Sequence, residues 1–594
     1  MTAASRPISR EPLILAGILA VGLAFRVVGL GYGLPAVYNP DEIAITSRAL
    51  AFATGDLNPH NFLYPTLYFY VLFGWLGAFF VGASIFGVHP DVAAFQTAFF
   101  TDPTNVYLAG RFLSVVCGLA TIVLLFLLAR RLFDGATGLL AAWFLAVSPV
   151  AVRDAHYVKH DVPVTLIVVV ALVAIARVWP GRAPPAEVPA RTAAAYPGHG
   201  SHPNLLAASI AGAACGVATS THYYAVFVVV PLAVALLWRV RDWRLAGVLR
   251  AGVAAGVSAA ITFFACSPFL LVELDTAWRD IVANRAIVMD RAVAGGGAFG
   301  SVPAYLRLLW TEAVGWPVVV AAGCGAMLAG FRRPKLVLVL VSFPVVFLLF
   351  IGNTVPATRY LNPVLPFVAL FAAVGVSETA RSVAPRRRPL AAVALGVALT
   401  WPALVLSART GWFFNQTDTR TLARDVIEQE VPAGSTVLLQ VYTVQLAQTR
   451  EALREALEAN LGSVDRASRK FQIRLALDPP PGPAYRTRYL GAGLDPDLIY
   501  VSYDVLSRPD ALEALRRDGV QYVVLRRSEG DADPVPERFW QLLEVRGWRL
   551  AQVSPYRDDA SAGRRVRPFL HNTDTPLDPA LERPGPVLEI WRLP

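Results

Sequence analysis

Long apolar runs, each interrupted by a short polar or basic stretch, alternate along the first 407 positions of this 594-residue chain. A helix that crosses a bilayer needs about 20 mostly apolar residues. Runs of roughly that kind fall at 13–30, 64–86, 108–128, 138–152, 162–179, 204–221, 223–238, 246–266, 313–330, 336–351, 363–378 and 389–406. They predict twelve apolar helices. From about Arg420 the pattern turns polar, with strand-like runs at 436–442, 498–503 and 520–525 and helix-like stretches at 450–460 and 509–518. That alternation predicts a small α/β domain over 408–594 behind a polytopic domain over 1–407.

Orientation follows the basic loops, which stay in the cytoplasm. Arg130 and Arg131, Arg177 with Arg182 and Arg191, Arg239 with Arg241 and Arg244, Arg332 with Arg333 and Lys335, and Arg381 with Arg386 to Arg388 all want the same side. If all twelve runs crossed, Arg130/Arg131 would face out and every later basic loop would be inverted. One early run therefore stays outside. The run at 64–86 is the choice, because its flanks 31–63 and 87–107 hold one Arg against five acids. Tyr64, Tyr68, Tyr70 and Trp75 give it the aromatic look of an interface. The expectation is an α-helical membrane protein of about eleven spans with external juxtamembrane helices, its N-terminus cytoplasmic and its C-terminal domain periplasmic. The first run, preceded by Arg6 and Arg10, ends without a small-residue cleavage site and reads as a span rather than a signal peptide.

Composition agrees. Hydrophobic residues make up 55% of the chain and charged residues only 16%, where soluble domains carry about 25% charged. A soluble multi-domain enzyme and a disordered chain are both excluded. The net charge of +10 comes from 53 Lys+Arg against 43 Asp+Glu; because the bases sit in cytoplasmic loops, the partner they imply is membrane lipid, not nucleic acid. Cys117, Cys215, Cys266 and Cys324 lie in apolar runs without CxxC spacing, so they read as small apolar residues. The segment 180–203 reads as a Pro/Ala-rich linker, 478–483 as a proline-rich loop and Gly295 to Gly297 as a flexible loop.

Charge at membrane depth is costly, so ionisable residues at the external ends of the spans are the candidate chemistry. Asn39-Pro40-Asp41-Glu42 follows the first span. Asn39 as N-cap, Pro40 at the first helical position and Glu42 closing a capping box explain the stretch structurally; a helix N-terminus also favours an ionised carboxylate suited to act as a base. Arg153 to Asp161 holds Asp154, His156, Lys159, His160 and Asp161 in a loop too short to leave the membrane surface. Thr221-His222-Tyr223-Tyr224 and Ala357-Thr358-Arg359-Tyr360-Leu361-Asn362-Pro363 close two further external turns. His222 alone reads as an interfacial histidine and Arg359 alone as a snorkelling one. With Lys159 they form a set of external cations able to meet one anionic group such as a lipid phosphate. Arg279, Arg285 and Arg291, six apart, suggest a surface helix. No GxGxxG after a strand, no GxxxxGK[ST], no GxSxG and no HExxH is present, and Asp495-Pro496-Asp497 is better read as a turn than as a metal-binding DxD.

These pieces in this order resemble the GT-C class of polytopic glycosyltransferases, of the family-39 type that includes protein O-mannosyltransferases and lipid A aminoarabinose transferases. The stretches that carry the resemblance are NPDEIA at 39–44, LYPTLYFYVLFGWL at 63–76, AGRFLSVVCGLATIVLLFLLARRLF at 109–133, RDAHYVKHDVPVTLIVVVALVAIAR at 153–177, GVATSTHYYAVFVVVPL at 216–232, SPFLLVELD at 267–275 and ATRYLNPVLPFVALFAA at 357–373. The resemblance implies a polyprenyl- or dolichyl-phosphate-linked sugar as donor. It implies Asp41 as base or as the carboxylate that orients the acceptor, Glu42 in support and Asp161 as the acid of the second external loop. Arg359, Tyr360, Lys159, His222, Tyr64, Asp154 and His156 become the donor-phosphate and substrate residues. Where relatives carry His or Lys before a Pro-Pro, this chain has Tyr64-Pro65-Thr66, and His222 stands where many have Lys.

The chemistry so implied is a single inverting displacement: Asp41 takes the proton of an acceptor hydroxyl while cations hold the departing lipid phosphate. The acceptor class stays open among lipid, polysaccharide and protein. No cofactor is required, although Asp41, Glu42, Asp154 and Asp161 could hold a divalent cation. The rival reading is a transporter or flippase of lipid-linked substrates, which would place paired charges at the bilayer midplane. Here the ionisable residues gather at one face.

Overall fold

The computed structural model describes residues 10–178, 203–286, 289, 297–477, 482–527, 534–557, 566–571 and 577–594. Arg6, Arg182, Arg191, Arg291, Gly295, Gly296, nearly all of the linker 180–203 and most of the proline-rich loop 478–483 lie outside them.

All twelve predicted apolar runs are helical. They begin with Glu11–Val27, include Thr104–Leu132, Asp161–Val178 and Val240–Cys266, and end with Arg388–Phe414. Among the described residues seven helices are long and apolar enough to cross a membrane, or eight if Val302–Ala313 and Trp316–Arg332, bent by 114°, are one broken span. Gly135–Ala146, Leu205–Thr221 and Tyr223–Leu237 are shorter apolar helices. The chain is a multi-span membrane protein, and where eleven spans are expected, seven or eight helices among the described residues are long and apolar enough to cross. Leu67–Ile85, which charge parity keeps outside, is among the seven by length and hydropathy. Length and hydropathy carry no information about the sidedness of the flanking loops.

The chain divides into two compact units. The first comprises residues 1–28, 41–77 and 109–411 and is built of helices. Where its helices run closest, small residues make the approach possible: Gly212 and Gly216 sit against the backbone of Ala255 and Ala259, and Gly325 against Phe371 and Gly375. A methyl group at these positions would collide with a neighbouring carbonyl. Arg26, buried at the end of the first helix, donates to the carbonyls of Gly22, Leu145 and Ala146, which satisfies the free C-terminal carbonyls of helix Gly135–Ala146.

The second unit comprises 29–40, 78–108 and 412–594. Its centre is a sheet of β1 (Thr436–Leu439), β2 (Ala447–Gln448), β3 (Ala484–Leu490), β4 (Tyr500–Val501), β5 (Tyr522–Arg526), β6 (Trp548–Val553) and β7 (Leu588–Arg592). The order is β2-β3-β1-β5-β7-β6, with β4 also on β3; β1, β2, β3, β4 and β5 run parallel, while β7 is antiparallel to β5 and β6. β1 is buried along its whole length, as a central parallel strand covered on both faces should be. Leu438, Val523, Leu525 and Trp591 pack with Leu512, Leu515, Phe539 and Leu543 on one face. Val437, Leu439, Val524 and Ile590 pack with Ala423 and Ile427 on the other. The expected strands at 436–442, 498–503 and 520–525 are present in shortened form, and helices Arg450–Leu461 and Ala511–Arg517 match the two helix-like stretches. β3, β6 and β7 go beyond the strand-like runs seen in the sequence.

Candidate functional site

Helix Pro40–Ala51 starts where the Asn-Pro pair places it and carries two acids in its first turn. The two have opposite environments. Glu42 is fully buried and accepts from Arg111 Nε at 3.0 Å, Arg111 Nη2 at 2.8 Å and the Val158 N–H at 2.9 Å. Read from sequence as closing a capping box or supporting a base, it is a clamp between the helix, Thr104–Leu132 and the 155–160 turn. Asp41 is 37% exposed, and its Oδ2 meets Lys159 Nζ at 2.8 Å and Arg359 Nη1 at 3.5 Å. Three stretches distant in sequence thus deliver an acid and two cations to one point.

Each cation is held from behind. Lys159 lies on the turn between helices Pro149–Asp154 and Asp161–Val178. Arg359 lies on the 3-10 helix Thr358–Val364, its guanidinium 5.1 Å over the Tyr360 ring and within 3.5 Å of the Tyr360 hydroxyl. Asn362 donates at 2.5 Å to Asp154 Oδ2 and at 3.0 Å to the Arg359 carbonyl, and Arg153 bonds Thr358. Asp154 therefore braces the Arg359 segment from a buried position. Asp161 opens its helix and lies within electrostatic reach of Lys159, Arg359, Asp154 and Asp41.

An aromatic wall continues from these charges. Tyr64 stacks on His160 at 4.5 Å and meets His222 edge-on at 5.3 Å. His222 stacks on Tyr224 at 3.7 Å, and Tyr224 lies 6.4 Å from Tyr360. Burial, reinforced by the negative charge of Asp41 and opposed by Arg359, holds the Tyr64 phenol well above its ordinary range, so it stays a hydrogen-bonding hydroxyl. Burial pushes His160 down to about 3 and His222 well below its ordinary value, with His160 and Arg359 adding to the latter. His222, expected among the cations, is a neutral ring here. Among the described residues the buried His160 Nε2 and Tyr224 hydroxyl have no hydrogen-bond partner.

His156 is not brought to this point. Its Nδ1 and Nε2 lie 2.9 Å from the carbonyls of Val152 and Val28, and burial takes it down to about 4. It ties the end of the first helix to its neighbour. Of the four acids considered for a divalent cation, Glu42 is bonded to Arg111 and Asp154 to Asn362. Among the described residues no three His, Cys, Asp or Glu side chains gather to hold an ion. Arg285 ends helix Leu274–Arg285, which also carries Arg279, and Asp495 and Asp497 serve a loop through Tyr500 and Arg474.

Sequence reasoning missed Arg111 and Arg48, and it included Asn362 in the stretch 357–363 without seeing its bracing role. Arg111 had a signal, being a lone cation within an otherwise apolar stretch of helix. Arg48, two turns beyond Asp41 and within electrostatic reach of Tyr64, Asp280 and Asp41, had only its spacing. Asn362 had none.

The sequence profile of a family described as dolichyl-phosphate-mannose-protein mannosyltransferase matches residues 88–184. That stretch holds Arg111, Asp154, Lys159 and Asp161, but neither Asp41 nor Arg359. No curated protein matches the chain. Among solved structures, ArnT from Cupriavidus metallidurans, bound to undecaprenyl phosphate, is 15% identical over 91% of this chain and 96% of its own, with a TM-score of 0.49. The apo Archaeoglobus fulgidus oligosaccharyltransferase is 10% identical over 98% of this chain and 88% of its own, also at 0.49. The S. cerevisiae protein O-mannosyltransferase Pmt1-Pmt2 complex bound to the sugar donor is 18% identical over 46% of this chain and 35% of its own, at 0.32. On the profile match, this chain resembles the GT-C glycosyltransferases of the O-mannosyltransferase type.

Proposed function

We propose that the chain is an inverting glycosyltransferase that moves a sugar from a polyprenyl-phosphate donor to a hydroxyl acceptor at the outer face of the cytoplasmic membrane. One observation carries the reading: Lys159 and Arg359 converge on the half-exposed carboxylate of Asp41. The family profile over 88–184 supports a lipid-phosphate donor.

The two cations neutralise Asp41. A donor phosphate entering between them takes over both partners, which releases the carboxylate at the moment its basicity is needed. The acceptor oxygen attacks the anomeric carbon and gives its proton to Asp41. The bond from that carbon to the phosphate oxygen breaks, and the electron pair leaves with the lipid phosphate. That leaving group needs no acid, only the fixed positive charge of Lys159 and Arg359. Asp161, close to both cations, keeps them oriented, and Tyr64 offers a ring and a hydroxyl to the sugar. Holding donor and acceptor at the bilayer edge supplies much of the remaining acceleration. No step calls on a metal. Asp41, Lys159 and Arg359 meet at helix ends rather than mid-helix, and this favours surface chemistry over carriage across the membrane.

The test is incubation of purified wild-type and Asp41→Asn protein with a panel of radiolabelled polyprenyl-phosphate sugars. Transfer or hydrolysis by the wild type alone is the expected result. Equal turnover by both proteins removes Asp41 from the chemistry, and stoichiometric uptake without cleavage points to carriage.

A further inference from the structure

The helical unit holds a second group of charges at the other end of its helices. From Arg111, beside the Asp41 group, to its last residue, helix Thr104–Leu132 runs about 30 Å, close to the thickness of the hydrocarbon core. Just beyond that end Asp134 caps helix Gly135–Ala146, its Oδ1 accepting from the Thr137 N–H and hydroxyl at 2.8 Å. Asp134, Glu378, Arg332, Arg333 and Arg381 line a cavity of about 260 Å³. Arg381 stands between the two acids, 2.9 Å from Glu378 and 3.6 Å from Asp134, and Arg332 also bonds Glu378. Arg388 donates to Asp134 Oδ2 at 2.7 Å from outside the cavity wall. Glu11, a further acid at this end, is paired with Arg130 at 3.2 Å.

The charges do not balance. The guanidiniums of Arg332, Arg333, Arg381 and Arg388 outnumber the carboxylates of Asp134 and Glu378 two to one. Arg333 has only neutral partners: its Nη1 donates to the Leu132 carbonyl at 2.6 Å and its guanidinium lies 5.6 Å over the Phe133 ring. No carboxylate among the described residues pairs with it. A guanidinium already oriented by a carbonyl and a ring can turn its remaining donors to an anion at little further entropic cost. The neighbouring surface is apolar. Phe331 and Val383, 81% and 77% exposed, stand at the ends of helices Trp316–Arg332 and Leu365–Val383, which supply Arg332, Glu378 and Arg381.

We propose that this cavity binds the phosphate of an anionic phospholipid in the leaflet opposite the Asp41 group, with Arg333 as its main contact and Arg332 and Arg381 shared with Glu378. Guanidinium forks match phosphate oxygens in pairs, and basic pockets between membrane helices suit such headgroups. The bare Phe331 and Val383 favour a lipid over a free phosphate, because acyl chains can cover them. The proposal does not depend on the transferase reading.

The full-length protein in detergent is titrated with short-chain phosphatidylglycerol, short-chain phosphatidylcholine and inorganic phosphate, and bound molecules are counted by native mass spectrometry. A single phosphatidylglycerol should be retained where phosphatidylcholine is not. Arg333→Gln breaks no ion pair and should weaken that binding about 10- to 100-fold, the range for one lost charge-assisted contact. Arg387→Gln removes the same charge from an exposed position on the 3-10 helix Pro385–Arg387, outside the cavity wall, and should change binding by less than about twofold. Glu378→Gln removes a competing carboxylate and should tighten binding, a gain that damage to the fold would not produce. Equal losses in Arg333→Gln and Arg387→Gln would mean a diffuse basic surface and overturn the proposal. Equal retention of phosphatidylcholine overturns it too, as does displacement of the lipid by millimolar inorganic phosphate, which would make the occupant a soluble anion. If Arg333→Gln does not fold, Glu378→Gln decides: tighter binding supports the site, and equal or weaker binding removes it.

Discussion

Asp41 and Glu42 are chain neighbours in one helical turn, yet their surroundings could hardly differ more. Glu42 is sealed from solvent against a fully buried arginine and a backbone N–H. Asp41 keeps a third of its side chain open and faces two cations that a ligand can take from it. The first arrangement is closed: every polar atom has a permanent partner, and any gain is in fixing geometry. The second is exchangeable. Residue type alone does not separate structure from chemistry here; access to a competing anion does.

The contrast is sharpest under Asp41→Asn. A positioned general base is worth about 10²–10⁴ in rate, so transfer should fall by that factor in a steady-state assay. Thermal stability should stay within about 1 kcal/mol, as expected for a partly exposed ion pair. A variant that unfolds instead would make Asp41 a structural residue like its neighbour.

Arg111→Met reverses the pattern. It leaves a carboxylate buried without a cation, which costs about 3–5 kcal/mol, visible as a large drop in the thermal midpoint. Changing Glu42→Gln together with Arg111→Met should restore most of that stability, because the uncompensated charge disappears. Failure of the double variant to recover would mean the pair contributes more than mutual neutralisation.

Next in size are Lys159→Met and Arg359→Gln. Removing one donor to a developing anion costs about 10²–10³ in kcat, and donor affinity should fall with it while folding is kept. A loss in Arg359→Gln matched by Asn362→Ala would assign part of the effect to the brace from Asp154 through Asn362.

How much of this was legible in the sequence follows from the same contrast. Asp41, Lys159 and Arg359 stood out because each is a charge at the end of an apolar run, where hydration is cheapest to surrender for function. Their convergence depends on pairings across 118 and 318 positions; shared placement at the span ends suggested that the cations meet, and the family resemblance added Asp41. The role of Glu42 was hidden because its partner, a lone cation on an otherwise apolar helix, sits 69 positions away and no local pattern joins the two. In the C-terminal unit β1 and β5 announced themselves as unbroken apolar runs. β3 did not, since Arg486 and Arg488 interrupt it and pair outward with Glu455. The membership of 29–40 in that unit rests on contacts nearly 400 positions long, such as Tyr32 with Arg420, beyond any local pattern.

The smallest expected effect concerns the rings beside the charged group. His156 and His160 are buried, with folded values of about 4 and 3, against about 6.5 in an unfolded chain. A depressed histidine contributes stability that is complete above its unfolded value and is lost as pH falls toward its folded one, because the unfolded chain binds the proton first. Between pH 7 and pH 5 each ring should therefore remove about 1–2 kcal/mol of stability. His60, exposed between Asp56 and Glu273, is raised by hydrogen bonding to Asp56 and acts in the opposite sense, but solvent screening keeps its share small. Replacing His160 with Phe, which suits its setting among Tyr64, Tyr68 and Phe69, should flatten the fall of the thermal midpoint across that window. An unchanged slope in His160→Phe would show that the ring takes up its proton while folded, which would make it a third cation beside Asp41 and enlarge the exchangeable site at the expense of the aromatic wall.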